Sequence, residues 1–128
     1  MLGPRRRSIP EGVRADLVTR LERHVSRKWK QQCREVVVRF RGGHAYVDAF
    51  PAKQYYPPGT TKTQKAEIDV IPVHLCRLDY LGHPKEWGFA FYKYSDEKYE
   101  TAILPSGSFT GTPEECFNCT ATVYLQTW

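Results

Sequence analysis

Two cysteines separated by two residues form the only familiar redox or metal-binding spacing in this chain. Cys116 and Cys119 stand in a Cys-Phe-Asn-Cys run that directly follows two glutamates. A redox pair requires a thiolate stabilised by cations or a helix N-terminus, and the two carboxylates oppose thiolate formation. A structural zinc site would need two more ligands, and Cys33 and Cys76 lack the paired spacing of such sites. We therefore interpret the cysteines as small packing residues.

Histidines and carboxylates are the second group whose types could perform chemistry. His44 lies close in sequence to Tyr46 and Asp48, a combination suited to general acid–base catalysis. A hard metal ion in a nuclease-like site would need several carboxylates, for which the candidates are Glu67, Asp69 and Asp79. The chain carries no nucleophile elbow, phosphate-binding glycine loop or paired metal motif. We predict no catalytic residue, metal or cofactor. A small hydrolase or nuclease is an alternative that requires convergence in a cleft of at least two of His44, Asp48, His74 and Asp79.

The most informative side chains are positioned by two predicted strands. Gly42-Gly43 supplies the positive φ angles of a two-residue turn, and strand-forming runs flank it at 35–41 and 44–50. Pairing outward from the turn gives a wholly apolar face formed by Val36, Val38, Phe40, Ala45, Val47 and Ala49. The other face carries Arg39 opposite Tyr46 and Arg41 opposite His44. The pairing predicts a half-buried sheet with a basic and aromatic outer face, since a one-residue slip would mix the two sets.

Basic residues also gather in an N-terminal arm and along the first helix. Residues 1–7 carry three adjacent arginines and no apolar periodicity, so we expect a mobile arm. Ser8 and Glu11 match a capping box that begins a helix of about 24 residues. Its apolar face is formed by Val13, Leu17, Val18, Leu21, Val25 and Trp29. The opposite face is a cationic stripe of Arg20, Arg23, Arg27 and Lys30.

Three further strands and a closing helix complete the predicted elements. An exposed basic loop is expected over 51–71, and strands over 73–81, 87–94 and 99–104. Thr112 and Glu115 match a second capping box, which begins a helix that runs to about residue 125.

Tyrosines concentrate on one face of the last two predicted strands. Pairing across a turn at 95–98 places Tyr94 opposite Tyr99, and Tyr92 points to the same side. We expect one of the helices to cover these rings. If the rings are instead open, aromatic side chains beside arginines form a surface on which single-stranded bases stack.

The order of elements predicts an α+β fold. We expect an antiparallel sheet of about five strands, a hairpin plus a three-stranded meander, with a long N-terminal helix and a C-terminal helix in the order α-β-β-β-β-β-α. Residues 8–128 would form a single domain after the arm.

Charge and composition limit the class of protein. The 128 residues include 19 basic and 14 acidic side chains, a formal net charge of +5, which favours an acidic partner. No apolar run approaches the roughly 18 residues that span a bilayer, and the first eight residues lack the apolar core of a signal peptide. Four sparse cysteines agree with a reducing compartment. We therefore expect a cytoplasmic protein that does not enter membranes.

The leading hypothesis is a small basic intracellular binding module that contacts nucleic acid or another acidic partner. The predicted contact residues are Arg5, Arg6, Arg7, Arg20, Arg23, Arg27, Lys30, Arg39, Arg41 and Tyr46. The alternative is a protein interaction or homo-oligomeric module, in which the tyrosine-rich face or an edge strand meets another subunit.

Overall fold

The computed structural model describes residues 8–125 as an α+β fold, which confirms the predicted class. Its elements are α1 (Glu11–His24) with a π-helical turn (Val25–Trp29), β1 (Cys33–Arg41), β2 (His44–Pro51), α2 (Lys62–Asp69), β3 (Val73–Tyr80), β4 (Trp87–Lys93), β5 (Lys98–Thr101), β6 (Thr110–Gly111) and α3 (Pro113–Tyr124). Within this range no helix has both the length and the apolar character needed to cross a membrane.

The strands form one antiparallel sheet in the order β1-β2-β3-β4-β5, and β6 pairs with the start of β4 beside β5. The predicted β1–β2 register is confirmed, with Arg39 opposite Tyr46 and Arg41 opposite His44. Gly42 adopts a φ of 57°, which only glycine reaches without steric cost. The turn and the alternation of apolar and polar residues therefore specify the same register.

One face of the sheet carries the hydrophobic core. Leu17 and Leu21 of α1 and Phe117 of α3 are at most 1% exposed and pack with Val47 and Leu78 of the sheet. Both helices therefore lie on the apolar face that the β1–β2 hairpin predicts. The opposite face has no helix against it within the described residues.

The first helix begins later and is shorter than predicted. Helix α1 contains 14 residues, its N-cap is Pro10, and no side-chain cap forms there. The predicted Ser8–Glu11 capping box is therefore wrong. Proline disfavours helical backbone in the residue before it, so Ile9 cannot join the helix. Ile9 is instead buried in the core, and its carbonyl accepts a hydrogen bond from Nε of Arg14 at 2.9 Å.

The segment predicted as a structureless basic loop contains a helix. Helix α2 begins at a capping box in which Thr61 and Gln64 each accept a hydrogen bond from the other's backbone N–H, at 3.1 and 2.9 Å. None of its residues is buried. Its sequence consequently lacks the apolar periodicity that would have predicted a helix.

The turn between β4 and β5 differs from the prediction by two residues of register. Tyr92 pairs with Tyr99 and Lys93 with Lys98, whereas the sequence predicted Tyr94 opposite Tyr99. The chain turns through residues 94–97, and Glu97 takes a left-handed φ of 52°. A two-residue shift leaves every side chain on its predicted face, so the apolar pattern could not choose between the two registers.

The second capping box is confirmed at the start of α3. The Thr112 hydroxyl accepts from the N–H of Glu115 at 3.1 Å, and the Glu115 carboxylate accepts from the N–H of Thr112 at 3.0 Å. Pro113 occupies the first helical position, where its missing N–H leaves no intrahelical bond unmade.

Candidate functional site

One face of the sheet is polar and aromatic and is covered by no helix of residues 8–125, and we call it the polar sheet face. Side chains alternate along each strand, so residues opposite one another in the ladders share this face. The ladders place there Arg39, Arg41, His44, Tyr46, Asp48, His74, Arg77, Asp79, Tyr92 and Tyr99. Three of the ten predicted contact residues, Arg39, Arg41 and Tyr46, thus lie together on one open surface.

The sheet curls toward its polar face. Tyr46 on β2 and Tyr99 on β5 have ring centroids 5.2 Å apart, although β3 and β4 lie between them. Three strand spacings amount to roughly 14 Å in a flat sheet. The rings can meet because the polar sheet face is concave and because both side chains lean across it.

A groove of about 640 Å³ opens in this concave surface, and we call it the sheet groove. Its lining residues are Arg39, Phe40, Arg41, Tyr46, Arg77, Glu97, Lys98 and Tyr99. Four of these side chains are cationic, one is a carboxylate, and Tyr46 and Tyr99 present aromatic rings on the polar sheet face, whereas Phe40 packs against the core on the apolar face. The groove therefore combines positive charge with stacking surfaces.

Arg39 is held in place while its charge stays accessible. Its Nε donates to Asp48 Oδ2 at 3.0 Å, and its guanidinium carbon lies 5.2 Å from the centroid of the Tyr46 ring. The side chain is still 54% exposed. Partial burial lowers the pKa of Arg39, but the hydrogen bond and charge of Asp48 outweigh that effect and raise the pKa above its usual value. A ligand would thus meet a pre-oriented and permanently charged guanidinium.

Asp48 is a buried carboxylate that organises one half of the polar sheet face. It is 2% exposed, and its second oxygen accepts from Nδ1 of His74 at 2.8 Å. Because a carboxylate can only accept, Nδ1 of His74 carries the proton and Nε2 has a free lone pair when the ring is neutral. The His74 ring lies 4.9 Å from the ring of Tyr92. Asp48 therefore fixes the orientation of both Arg39 and His74.

Asp79 plays the same part in the other half. Its Oδ1 accepts from Nδ1 of His44 at 2.6 Å and from Nε of Arg77 at 2.8 Å. The predicted His44–Asp48 partnership is therefore replaced by two pairs, His44 with Asp79 and His74 with Asp48. All four residues lie on the polar sheet face as two pairs, and none of them lines the groove described above.

The phenol group of Tyr99 points into the centre of this face. Its oxygen is buried close to the Arg39 guanidinium and makes no hydrogen bond of standard geometry among residues 8–125. Burial raises the pKa of Tyr99, and the nearby negative charge of Asp48 raises it further. Tyr99 therefore stays protonated and has an O–H donor available to a ligand that displaces its neighbours.

We predicted that a helix would cover the tyrosines of β4 and β5. Within residues 8–125 no helix does so. Tyr92 and Tyr99 pack on each other at 4.8 Å on the helix-free face. Tyr94 is 45% exposed at the turn and contacts Tyr92 and, on α3, Tyr124. The strand order places these residues at the open side of the curl, which sequence alone did not reveal.

The carboxylates considered for a metal site are dispersed. Asp69 accepts a hydrogen bond from the Tyr56 hydroxyl at the end of α2, whereas Asp79 lies on β3 with His44 and Arg77. No group of three or more histidine, cysteine, aspartate or glutamate side chains in residues 8–125 is arranged to hold a metal ion.

The cationic stripe of α1 lies on the other side of the molecule from the sheet groove, because α1 packs on the apolar face. Arg20 forms a two-pronged ion pair with Glu114, with nitrogen–oxygen distances of 3.0 and 2.7 Å. Arg23, Arg27 and Lys30 are exposed. The predicted contact residues therefore occupy two separate surfaces. Arg5, Arg6 and Arg7 lie outside the described residues.

The cysteines lie in or beside the core. Cys116 is fully buried, and burial raises its pKa. Burial also raises the pKa of Cys76 to about 12 and that of Cys33 to about 11. Thiols of this kind are protonated at neutral pH and packed as small apolar groups.

Sequence reasoning missed Arg77 and Lys98 in the sheet groove, and it missed the pairing of the histidines. Arg77 and Asp79 alternate along β3, a signal for one exposed face. Their assignment to the Tyr46 face required the β2–β3 register. That register shifts at Leu75, an extra residue between the Cys76–Val47 and His74–Asp48 pairs.

Comparisons with protein-family models, with curated proteins and with solved structures each found no match.

Proposed function

We propose that this protein binds single-stranded nucleic acid in the sheet groove. The observation that carries the proposal is the lining of that groove, in which three arginines and a lysine stand beside Tyr46 and Tyr99. Cations neutralise phosphates, and aromatic faces stack on unpaired bases. The combination fits a ligand that alternates negative charge with flat rings.

The arrangement of the cations supports a polymer ligand over a simple anion. Arg39 and Arg77 are each anchored by a buried or half-buried aspartate, while Arg41 and Lys98 are exposed at the rim of the groove. Positive charge is therefore distributed along the groove instead of converging on one point. A phosphodiester backbone presents its charges with the same spread.

The rings favour single strands over duplex. Tyr46 is half-buried with its ring against Arg39 and Tyr99, on the floor of a concave face. Only an unpaired base can bring its flat surface onto a ring in such a groove, because bases in a duplex are stacked on one another. Selectivity among sequences would be weak, since every base has a stacking face.

With this function we expect the protein to be in the cytoplasm, where single-stranded nucleic acid occurs. The four unpaired cysteines accord with a reducing compartment.

Fluorescence anisotropy tests this proposal. A labelled twelve-nucleotide single strand should bind more tightly than a hairpin duplex of equal charge. The logarithm of its association constant should fall linearly with the logarithm of the salt concentration, with a slope of about −0.7 for each phosphate neutralised. Absence of binding at low salt, or a preference for the duplex, would remove the sheet groove from consideration as a nucleic-acid site.

A second candidate function is metal-independent cleavage of RNA at His74, and the pairing of the partly exposed His74 with the buried Asp48 is the observation that favours it. Asp48 orients the ring through Nδ1, so Nε2 can accept a proton from a ribose 2′-hydroxyl. The 2′-oxygen then bonds to phosphorus, the bond from phosphorus to the 5′-oxygen breaks, and water protonates the departing oxygen. The product is a 2′,3′-cyclic phosphate, and neither a protein nucleophile nor a metal takes part.

We expect a chelator to leave this cleavage intact and His74→Gln to abolish it without loss of single-strand binding. Denaturing gels of labelled RNA and its DNA counterpart provide the assay, and His83→Gln in an exposed turn serves as the control. Intact RNA with wild-type protein, or equal cleavage by the His74 variant, would leave binding as the sole proposed function.

A further inference from the structure

A second cationic groove lies between α1 and α3, on the side of the molecule away from the sheet groove. It has a volume of about 230 Å³, and we call it the helix groove. Its lining residues are Arg20, Arg23, His24, Arg27, Lys28 and Glu114. Four cations therefore face one carboxylate.

The groove is a built feature of the helix pair. Arg20 is fixed against Glu114 of α3 by two hydrogen bonds, and its side chain is 21% exposed. His24 donates from Nε2 to Oδ1 of Asn118 on α3 at 2.6 Å. These contacts join the two helices along the length of the groove and fix its walls.

Three of the four cations form no ion pair within residues 8–125. They are Arg23, Arg27 and Lys28, and all three are exposed. Glu114 is occupied by Arg20. The field in the groove is thus positive, and the groove suits a ligand with several negatively charged oxygens.

The chemistry of the helix groove differs from that of the sheet groove. It contains no tyrosine or phenylalanine, and its one ring, His24, is engaged by Asn118 and lies edge-on to Phe117 at 5.9 Å. Because it has no aromatic surface for stacking, the helix groove would contact the phosphates of a nucleic acid and not its bases. Single strands and duplexes would both fit.

The two grooves lie on opposite sides of the molecule. Helix α1 packs on the apolar face and the sheet groove lies on the polar face, so a sheet and a helix layer separate them. A helix is about 10 Å across, and a packed layer lies about 10 Å from the next, which places the grooves roughly 20 Å apart through the domain.

We infer that one molecule holds two nucleic-acid segments at once, one by its bases in the sheet groove and one by its phosphates in the helix groove, and so bridges separate strands. This inference rests on the proposed function. The ligand of the helix groove is a phosphodiester backbone. Bridging would bring two strands together without any second copy of the protein.

Calorimetric titration with an eight-nucleotide single strand tests the number of sites. Wild-type protein should bind two oligonucleotides per chain at low salt. The variant Arg23→Gln, Arg27→Gln, Lys28→Gln should bind one, with the affinity of the remaining site changed by less than about threefold. A control with the same loss of charge, Lys53→Gln, Lys62→Gln, Lys85→Gln, should still bind two.

A capture assay tests bridging directly. Protein is bound to a biotinylated strand on beads, and a second fluorescent strand is added. The helix-groove variant should retain less than about a tenth of the wild-type captured signal, while the control variant retains nearly all of it.

Equal capture by the helix-groove variant, or one site per wild-type chain, would overturn the inference and leave the sheet groove intact. Failure of wild-type protein to bind any strand would instead refute the proposed function itself. Sedimentation without nucleic acid shows whether the protein is a dimer. If it is a dimer and the helix-groove variant still captures the second strand, the dimer bridges the strands and the helix groove does not.

Discussion

The affinity of the sheet groove for a single strand should fall by at least about 100-fold when Arg41→Gln, Tyr46→Leu and Lys98→Gln are combined. Loss of one stacking ring costs about 1–3 kcal/mol, and loss of two phosphate contacts adds an electrostatic penalty at low salt. The slope of log affinity against log salt should also become shallower by about 1.4. Anisotropy titrations at several salt concentrations measure both quantities.

These three positions separate binding from folding. Arg41 and Lys98 are exposed, and Tyr46 lies on the face away from the core. Arg39 and Arg77 are left unchanged because their removal would strip Asp48 and Asp79 of charge partners. A matched control replaces Lys53, Tyr55 and Lys62 by glutamine, leucine and glutamine, outside the groove. Equal affinity of the two triple variants would show that general charge, and not the sheet groove, determines binding.

Trp87→Ala should lower the free energy of unfolding by about 3–5 kcal/mol. Trp87 is fully buried at the start of β4, its ring lies 5.3 Å from that of Tyr80, and its indole N–H donates to the carbonyl of Pro84 at 3.0 Å. Truncation removes a large apolar side chain, leaves a cavity and removes the shorter of the two hydrogen bonds to that carbonyl, which also accepts from Arg20 at 3.5 Å. Domains of this size have a total stability of about 5–15 kcal/mol, so the loss is a large share.

Urea unfolding monitored by circular dichroism measures this change, with Tyr55→Ala as the control because Tyr55 is 67% exposed. The midpoint for the control should move little, since surface substitutions usually change stability by less than about 0.5 kcal/mol. A Trp87 variant as stable as the control would mean that the packing of α1 and α3 on the apolar face is incorrectly described.

The local parts of the fold could be predicted from sequence because several signals coincided. At Gly42-Gly43 the turn chemistry and the two-residue alternation specify one register, and the structure has that register. At Thr112 a capping box, a proline and an apolar stripe specify one helix start.

The predictions were wrong where only one sequence pattern was present, or where two alternative structures bury the same residues. Helix α2 has a capping box at Thr61 but no buried side chain, so its sequence has no apolar periodicity from which a helix could be predicted. The β4–β5 register slipped by two, which leaves the apolar face unchanged. At Ser8 the capping box matched in sequence, but Pro10 imposed a later start.

The site itself was predictable only within one hairpin. Arg39, Arg41 and Tyr46 follow from the β1–β2 pairing, whereas Arg77 and Tyr99 join them only through strand order and the curl of the sheet. The His74–Asp48 pair depends further on the extra residue at Leu75. Such contacts between distant strands arise from packing, and no local pattern encodes them.

Photo-crosslinking tests the central claim most directly, because it reports which side chains touch a base. A single strand containing 5-iodouridine is bound to excess protein, irradiated, and the attachment sites are mapped by mass spectrometry. Stacking in the sheet groove predicts crosslinks at Tyr46 and Tyr99, lost at high salt and unaffected by the Lys53, Tyr55 and Lys62 control substitutions. Efficient crosslinking that omits both tyrosines would contradict a base-stacking site on the polar sheet face.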